Sequence, residues 1–132
     1  MLRQQNKGSE ANQLNPLDAV TAAPGHHRIL FENESVRVLD TRIGPGETTP
    51  VHTHQWPSVL YVLNWSDIVR RDTEGNVLLD TRKSDSIPQA STALWSEALM
   101  PHSAMNVGNE EIRIIAVELK TTNANLGREE LL

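Results

Sequence analysis

A succession of short strand-forming runs, each followed by a turn signal, constrains the fold of this chain more than any other feature. The runs are rich in β-branched and aromatic residues, which strands favour. In chain order they are HRILFEN, VRVLDTRI, SVLYVLNW, DIVRRD, NVLLDTR, TALWSEA and EEIRIIAVELK. Many short strands separated by turns indicate an all-β sandwich or barrel. No helix of useful length is predicted outside the two ends of the chain.

The two ends differ in composition from this strand-rich middle. We predict a polar N-terminal arm over residues 1–25, one barrel domain over residues 26–120, and a short C-terminal tail over residues 121–132. A chain of 132 residues with 38% hydrophobic and 22% charged residues fits one folded domain better than a disordered chain. We expect the arm to be ordered only where it docks on the body or on a second subunit.

Charge and composition exclude several classes of function. The formal net charge is −5, which argues against binding to a phosphate backbone, because that requires a basic surface. The chain has no cysteine, so disulfides and thiolate metal ligands are impossible. No apolar run approaches the roughly 18 residues that cross a membrane, and the first residues lack the apolar centre of a secretory signal. The sequence therefore indicates a cytoplasmic protein that binds neither nucleic acid nor membrane.

Two histidines stand one residue apart in GETTPVHTHQW (46–56), directly after a Gly-Pro-Gly turn. On a strand, His52 and His54 would point to the same side. They suggest a metal site if that side faces a closed interior, and they are surface residues if it faces water. His102 is predicted at a strand start or in a turn. The adjacent pair His26 and His27 would point to opposite faces of a strand, and we interpret both as structural.

These residues resemble the first sequence motif of the cupins, which are small double-sheet jelly-roll barrels. That motif has a glycine, five residues and then His-x-His, and Gly46, His52 and His54 match it. The run SVLYVLNW resembles the hydrophobic strand that follows in the family. In that register Ser58 stands where the family has a glutamate ligand, and Trp65 stands where it has a glycine.

The second cupin motif is matched only at its end. His102 and Asn106 stand at its final histidine and asparagine, whereas its glycines and proline are absent. The resemblance covers residues 27–120. It implies a cupin-like jelly-roll barrel in which His52, His54 and His102 bind a divalent metal ion without the motif glutamate. It also implies a homodimer, with the N-terminal arm a candidate for crossing between subunits.

The implied ligand set has a chemical consequence. Neutral imidazoles suit several divalent metals, so the sequence leaves Fe, Ni, Zn, Cu and Mn open. Three neutral ligands leave a divalent ion with its full charge, which favours an anionic or chelating small molecule. In the family register Ser58, Leu60 and Val62 face the interior and Tyr61 faces the opposite side.

Trp56 and Asn106, which lie near these motifs, each allow two interpretations. Trp56 is either a wall of the pocket mouth or a packing residue, and Asn106 either supports the site or stabilises a turn. The predicted pocket therefore comprises Ser58, Leu60, Val62, Trp56 and Asn106. Trp95 is predicted to pack in the core, and Glu97 is a remote candidate to replace the missing ligand. Arg70 is assigned to a solvated hairpin end, and the catalytic residues are unknown.

Two functions from different classes fit these observations. The first is a small metal-dependent enzyme, a dioxygenase or an isomerase, that acts on a small organic molecule. The second is a non-catalytic cupin module that binds a small ligand or a sugar. The scarcity of acid–base groups near the histidines favours the second, because proton transfer requires a titratable group within reach of the substrate. A Ser–His hydrolase is set aside, because no nucleophile-elbow pattern is present.

Overall fold

The structure is a computed structural model that describes residues 15–85 and 87–120. Within these residues one short helix, α1 (Ala19–Ala22), precedes a series of strands. The strands are β1 (His27–Glu32), β2 (Val36–Ile43), β3 (His52–His54), β4 (Ser58–Asn64), β5 (Ile68–Arg71), β6 (Val77–Asp80), β7 (Thr92–Ser96), β8 (Leu99–Asn106) and β9 (Ile112–Leu119). A 3-10 turn over Thr81–Lys83 follows β6. No helix among the described residues is long and apolar enough to cross a membrane.

The strands form two antiparallel sheets. The five-stranded sheet has the order β1-β2-β9-β4-β7, and the four-stranded sheet has the order β3-β8-β5-β6. Strands that are distant in sequence therefore lie side by side, as in a jelly roll, where the chain alternates between two sheets. The predicted all-β, double-stranded β-helix fold is confirmed.

Alternation along the strands separates an interior face from an outer face. In β4, Ser58 and Val62 are buried, whereas Val59 and Tyr61 between them are exposed. In β9, Ile112 and Ala116 are likewise buried. The interior residues of both sheets meet in a core cluster of Ile43, Ile68, Ala104 and Ile112, against which Trp65 packs. Tyr61 faces away from Ser58, as the sequence predicts.

Two predicted positions are wrong. His102 lies in the middle of β8, between Leu99 and Asn106, and not at a strand start or turn. Trp95 is 53% exposed on the outer face of β7 and does not pack in the core. It lies directly opposite Val59, which is also exposed, so alternation places both side chains outside.

The described part of the predicted arm packs against the strands. Asp18 caps α1 by accepting a hydrogen bond from the backbone N–H of Val20, an arrangement typical of a helix start. Its side chain is fully buried. The backbone N–H of Thr53 donates to the carbonyl of Leu17 at 2.7 Å. Residues 15–25 therefore rest beside β3. Residues 1–14 lie outside the described part, so a crossing between subunits stays a prediction.

The turn before β3 adopts the conformation that its sequence predicts. Gly46 has φ of 80°, in the left-handed region that glycine adopts without steric penalty. Its backbone N–H donates to the carbonyl of Asn106, and the backbone N–H of Asn106 donates to the carbonyl of Glu47. These bonds hold the turn against the end of β8, so the histidine strand that follows is fixed beside β8.

Candidate metal centre

A cavity of about 120 Å³ lies between the two sheets. Side chains from both sheets line it. Those of the five-stranded sheet and its loops are His27, Thr41, Ile43, Ser58, Leu60, Ser96, Ile112, Ile114 and Ala116. Those of the four-stranded sheet and its loops are Thr49, His52, His54, Trp65, Ile68, Arg70, Leu99, His102 and Ala104. Most of this lining is apolar, and its imidazoles are concentrated in one cluster.

Four histidines form that cluster. The ring centroid of His52 lies 4.8 Å from that of His27, 5.0 Å from that of His54 and 4.5 Å from that of His102. The centroids of His54 and His102 are 5.7 Å apart. The candidate ligand atoms of His27, His52 and His54 all lie within 4.8 Å of one another. The cluster thus combines the three histidines named from the sequence with His27 from β1.

Each of the four rings has its Nδ1 atom beside an acceptor in the protein. The Nδ1 atoms of His27, His52 and His102 lie 3.0, 2.8 and 2.7 Å from the carbonyl oxygens of Ala23, Pro50 and Met100. The Nδ1 of His54 lies 3.5 Å from a carboxylate oxygen of Glu118. An acceptor at Nδ1 places the proton there and leaves Nε2 with its lone pair. Each ring therefore offers Nε2 as its ligand atom, but among the described residues only His27, His52 and His54 belong to the group whose ligand atoms converge, and His102 joins the cluster through its ring contacts.

Burial keeps three of these rings neutral. Removal from water lowers the pKa of His27 and of His102 to about 3, and it lowers the pKa of His52 to about 4. Neighbouring histidines lower these pKa values further. A neutral imidazole is the form that coordinates a metal. At neutral pH these three rings are therefore already neutral, and they can bind a metal ion without first losing a proton.

The carboxylate missing at Ser58 has a counterpart on the next strand. Ser58 pairs directly with Glu118 of β9, so both side chains project into the same interior. The Glu118 carboxylate reaches Nδ1 of His54 and not the Nε2 side of the cluster. Glu118 therefore supports the proposed ligand His54, whereas the glutamate of the family motif is itself a metal ligand.

Glu118 belongs to a buried ionic network. Arg37 donates from Nε to Glu118 at 2.6 Å and from its two terminal nitrogens to Asp18 at 3.0 and 2.9 Å. All three side chains are almost completely buried. Burial alone would lower the pKa of Arg37, but the hydrogen bonds to Asp18 and Glu118 raise it above its ordinary value. Two carboxylates against one guanidinium give the network a net negative charge, which favours a cation beside His54.

Only some of the predicted pocket residues line the cavity. Ser58 and Leu60 line the cavity, whereas Val62, Trp56 and Asn106 are not among the described residues that line it. Val62 is fully buried in β4. Trp56 is buried beneath Arg37, whose guanidinium carbon lies 5.0 Å from the ring centroid. Asn106 is fully buried and bonds to neighbouring turns.

Sequence reasoning missed four residues of the site. His27 and Glu118 belong to the histidine cluster and its support, and Arg70 and Trp65 line the cavity. For His27 a signal existed, because one of two adjacent strand histidines must point inward. For Glu118 the signal was an acid on the interior face of the last strand. Glu97, by contrast, is exposed and accepts a hydrogen bond from the indole of Trp95.

Comparison with known proteins gives a fold and no closer relationship. No protein-family model matches the chain, and no curated protein matches it. Solved structures do match. A cupin domain from Bordetella pertussis Tohama I has a TM-score of 0.56 and 19% identity, covering 70% of this chain and 90% of its own. The chain has the cupin fold.

Two further structures agree. A double-stranded β-helix protein from Klebsiella pneumoniae has a TM-score of 0.50 and 18% identity, with 74% of this chain and 80% of its own covered. The cupin domain of Cnp3 from Schizosaccharomyces pombe has a TM-score of 0.51 and 16% identity, with 78% and 69% covered. At these identities the similarity shows the cupin architecture, and the function has to be argued from the site itself.

Proposed function

We propose that this cupin-fold chain binds one divalent metal ion through its histidine cluster and acts on a small organic molecule in the adjoining cavity. His52, His54 and His102 are the proposed ligands named from the sequence, and His27 joins them. The observation that carries the proposal is that each of the four clustered rings has an acceptor at Nδ1. Anchoring at Nδ1 leaves Nε2 of each ring to bind a metal, and imidazoles are costly to bury without such a partner.

The proposed reaction class is that of a dioxygenase or an isomerase. A bound metal supplies Lewis-acid polarisation of a substrate oxygen and, if it is iron, access to dioxygen chemistry. The chain itself supplies the rest: the rings fix the ligand geometry, Glu118 holds His54, and the apolar lining excludes water. Ser58 and Ser96 add hydroxyl groups that can hydrogen-bond a substrate.

Elemental analysis of untagged protein tests the metal proposal. The protein is incubated with Fe, Ni, Zn, Cu or Mn in separate samples and then desalted. We expect about one equivalent of a divalent metal per chain. His52→Ala, His27→Ala and His102→Ala should each lose most of it. His26→Ala is the matched control, because its ring bonds the carbonyl of Arg42 and it is not among the described residues that line the cavity. Negligible metal in the wild-type protein would refute the proposal.

A non-catalytic ligand-binding module is the second candidate. It is favoured by one observation: no aspartate, glutamate, lysine or tyrosine is among the described residues that line the cavity. A reaction that depends on a protein general acid or base would lack that group. Mass spectrometry of small organic acids incubated with metal-loaded protein and air distinguishes the two. Turnover that is lost in His52→Ala supports the enzyme, and binding without turnover supports the module.

We also propose that the chain forms a homodimer. Paired residues on the outer face of the five-stranded sheet form an apolar row across all five strands, namely Phe31, Val38, Val117, Val59 and Trp95. Phe31 and Trp95 are 54% and 53% exposed. A two-fold dimer uses the same patch on both subunits, so this row can pack against its own copy.

A further inference from the structure

Among the described residues that line the cavity, Arg70 is the one arginine or lysine. It lies on β5 directly opposite Ala104 of β8, which is buried and also lines the cavity. Directly opposed residues of an antiparallel pair project to the same face, and His102 is two residues before Ala104 on that face. The guanidinium therefore enters the cavity beside the histidine cluster, and its charge also acts to lower the pKa of His102.

No acid neutralises Arg70 among residues 15–85 and 87–120. Three arginines of the five-stranded sheet are paired, by contrast: Arg37 with Asp18 and Glu118, and Arg42 and Arg113 with Asp40. Arg70 makes no such ion pair with a described residue. Carboxylates raise the pKa of Arg37 and Arg113, whereas burial, acting without them, lowers the pKa of Arg70.

A half-buried guanidinium remains charged at neutral pH, and a buried charge is normally paired. In this cavity the pair must come from outside, because no aspartate or glutamate is among the described residues that line it. The unpartnered guanidinium therefore indicates that the ligand of this cavity is an anion.

A second residue of the cavity lining carries a polar atom without a partner. The indole Nε1 of Trp65 is buried and has no hydrogen-bond acceptor in the described part of the chain. Trp65 lines the cavity together with Arg70. A buried indole N–H usually finds an acceptor, and leaving it unpaired is unfavourable. Trp65 therefore lines the cavity with its ring and can report on a bound ligand, whereas the guanidinium of Arg70 is the charged donor in the lining.

We propose that the cavity binds a small organic carboxylate, whose anionic group is held by the guanidinium of Arg70. Its apolar part lies against Ile68, Leu60 and Ile114 and directs the molecule toward the histidine cluster. This inference rests on the proposed function, since it names the ligand class of the same cavity. A cavity of about 120 Å³ limits the ligand to a size near that of a substituted benzene ring.

Benzoate is a suitable probe, and benzamide is its uncharged counterpart of equal shape. Both are titrated into metal-free and zinc-loaded protein while the indole N–H signals are followed by NMR. Trp65→Phe identifies the Trp65 signal. We expect benzoate to shift that signal and to bind at least roughly tenfold more tightly than benzamide, the difference that one charge-assisted contact provides.

Arg70→Met and Arg71→Met change the net charge equally, so comparing them shows which arginine contacts benzoate. Arg70→Met should weaken benzoate binding by roughly tenfold or more and leave benzamide binding unchanged. Arg71→Met is the matched control, because the adjacent strand residue points to the opposite face, and it should bind benzoate as the wild type does. Arg70→Lys keeps the charge without the planar fork, and its affinity should fall between the two. The indole signals also report whether each variant is folded.

The outcomes separate this inference from the metal proposal, because the metal content of each sample is measured independently. Benzoate binding to metal-free protein that depends on Arg70 supports the carboxylate site whether or not the protein holds a metal. Equal affinity for benzoate and benzamide would overturn it, as would unchanged benzoate binding in Arg70→Met. Failure of benzoate, and of the smaller acetate, to bind either form of the protein also overturns it.

Discussion

A single carboxylate connects the stability of this fold to its candidate site. Glu118 receives a hydrogen bond from Arg37 on one oxygen and lies beside His54 with the other. The first contact belongs to a buried ionic network, and the second orients a proposed metal ligand. Buried ion pairs contribute little net stability compared with apolar packing. The network lies beside His54, and we infer that it serves to orient this proposed metal ligand, because its net contribution to stability is small.

Glu118→Gln separates the two roles. The amide keeps the shape of the side chain but removes its negative charge beside His54. We expect metal affinity to fall roughly 10- to 100-fold, the usual effect of losing a group that orients a metal ligand. The variant should also be destabilised by about 3 kcal/mol, because a buried ion pair is broken. Metal affinity is measured by competition with a chelator, and stability by urea unfolding of the metal-free protein.

Asp18→Asn is the control for that substitution. It removes the same charge from the same buried network, yet Asp18 makes no hydrogen bond to a histidine among the described residues. We expect a similar loss of stability and a much smaller loss of metal affinity. If both variants lose the same metal affinity, Glu118 acts only through the charge and stability of the network, and its role in holding His54 is refuted.

The sequence reveals ligand types more readily than their partners. His52 and His54 are recognisable because the spacing of two residues and the preceding turn are local features. His27 and Glu118 reach the same place from β1 and β9, which are separated from β3 along the chain and meet it only through the sheet order. Arg70 was assigned to solvent because charge dominates its local sequence, whereas its direction depends on pairing with Ala104.

Strands differ in how strongly their own sequence specifies them. β4 and β9 are rich in β-branched and other apolar residues, so they are predictable from sequence. β8 contains Pro101 and few β-branched residues, yet it lies between β3 and β5 in its sheet. The pairing of β3 with β8 is irregular between His52 and His54, opposite the proline. A proline is tolerated at such a bulge, and tertiary pairing overrides the weak local preference.

Asn106 shows how the end of β8 is held. Its amide nitrogen donates to the carbonyls of Ile43 and Glu110, and its oxygen accepts from Ser66 and Gly108. We expect Asn106→Ala to lower the free energy of unfolding by about 3 kcal/mol, because buried groups lose their partners. The measurement is urea unfolding of the metal-free protein.

Asn64→Ala is the matched control for this element-scale prediction. Asn64 donates to the carbonyl of Glu111 in an exposed setting, so its loss should cost less than about 1 kcal/mol. The folded fraction of Asn106→Ala should keep its metal, since the side chain is not among the described residues that line the cavity. Equal stability of the two variants would show that water replaces the bonds of Asn106.

In the molecule as a whole, the two faces of the five-stranded sheet have different proposed roles. Its inner face carries His27 and Glu118 toward the cavity, and its outer face exposes the apolar row from Phe31 to Trp95. Large exposed apolar patches mark interaction surfaces in folded proteins. A dimer through the outer face leaves the cavity free, because the cavity lies on the other side of the same sheet.

Trp95→Glu tests the proposed homodimer. We expect the wild-type protein to have twice the 14.7 kDa chain mass in light scattering coupled to size-exclusion chromatography. The charge introduced at an exposed aromatic of the row should weaken the dimer by at least roughly tenfold, because aromatic residues dominate interface energies. Leu78→Glu is the control: Leu78 is 54% exposed but lies on β6 of the other sheet, so that variant should stay dimeric. A monomeric wild type, or a Trp95→Glu variant as dimeric as Leu78→Glu, would refute dimerisation through this face.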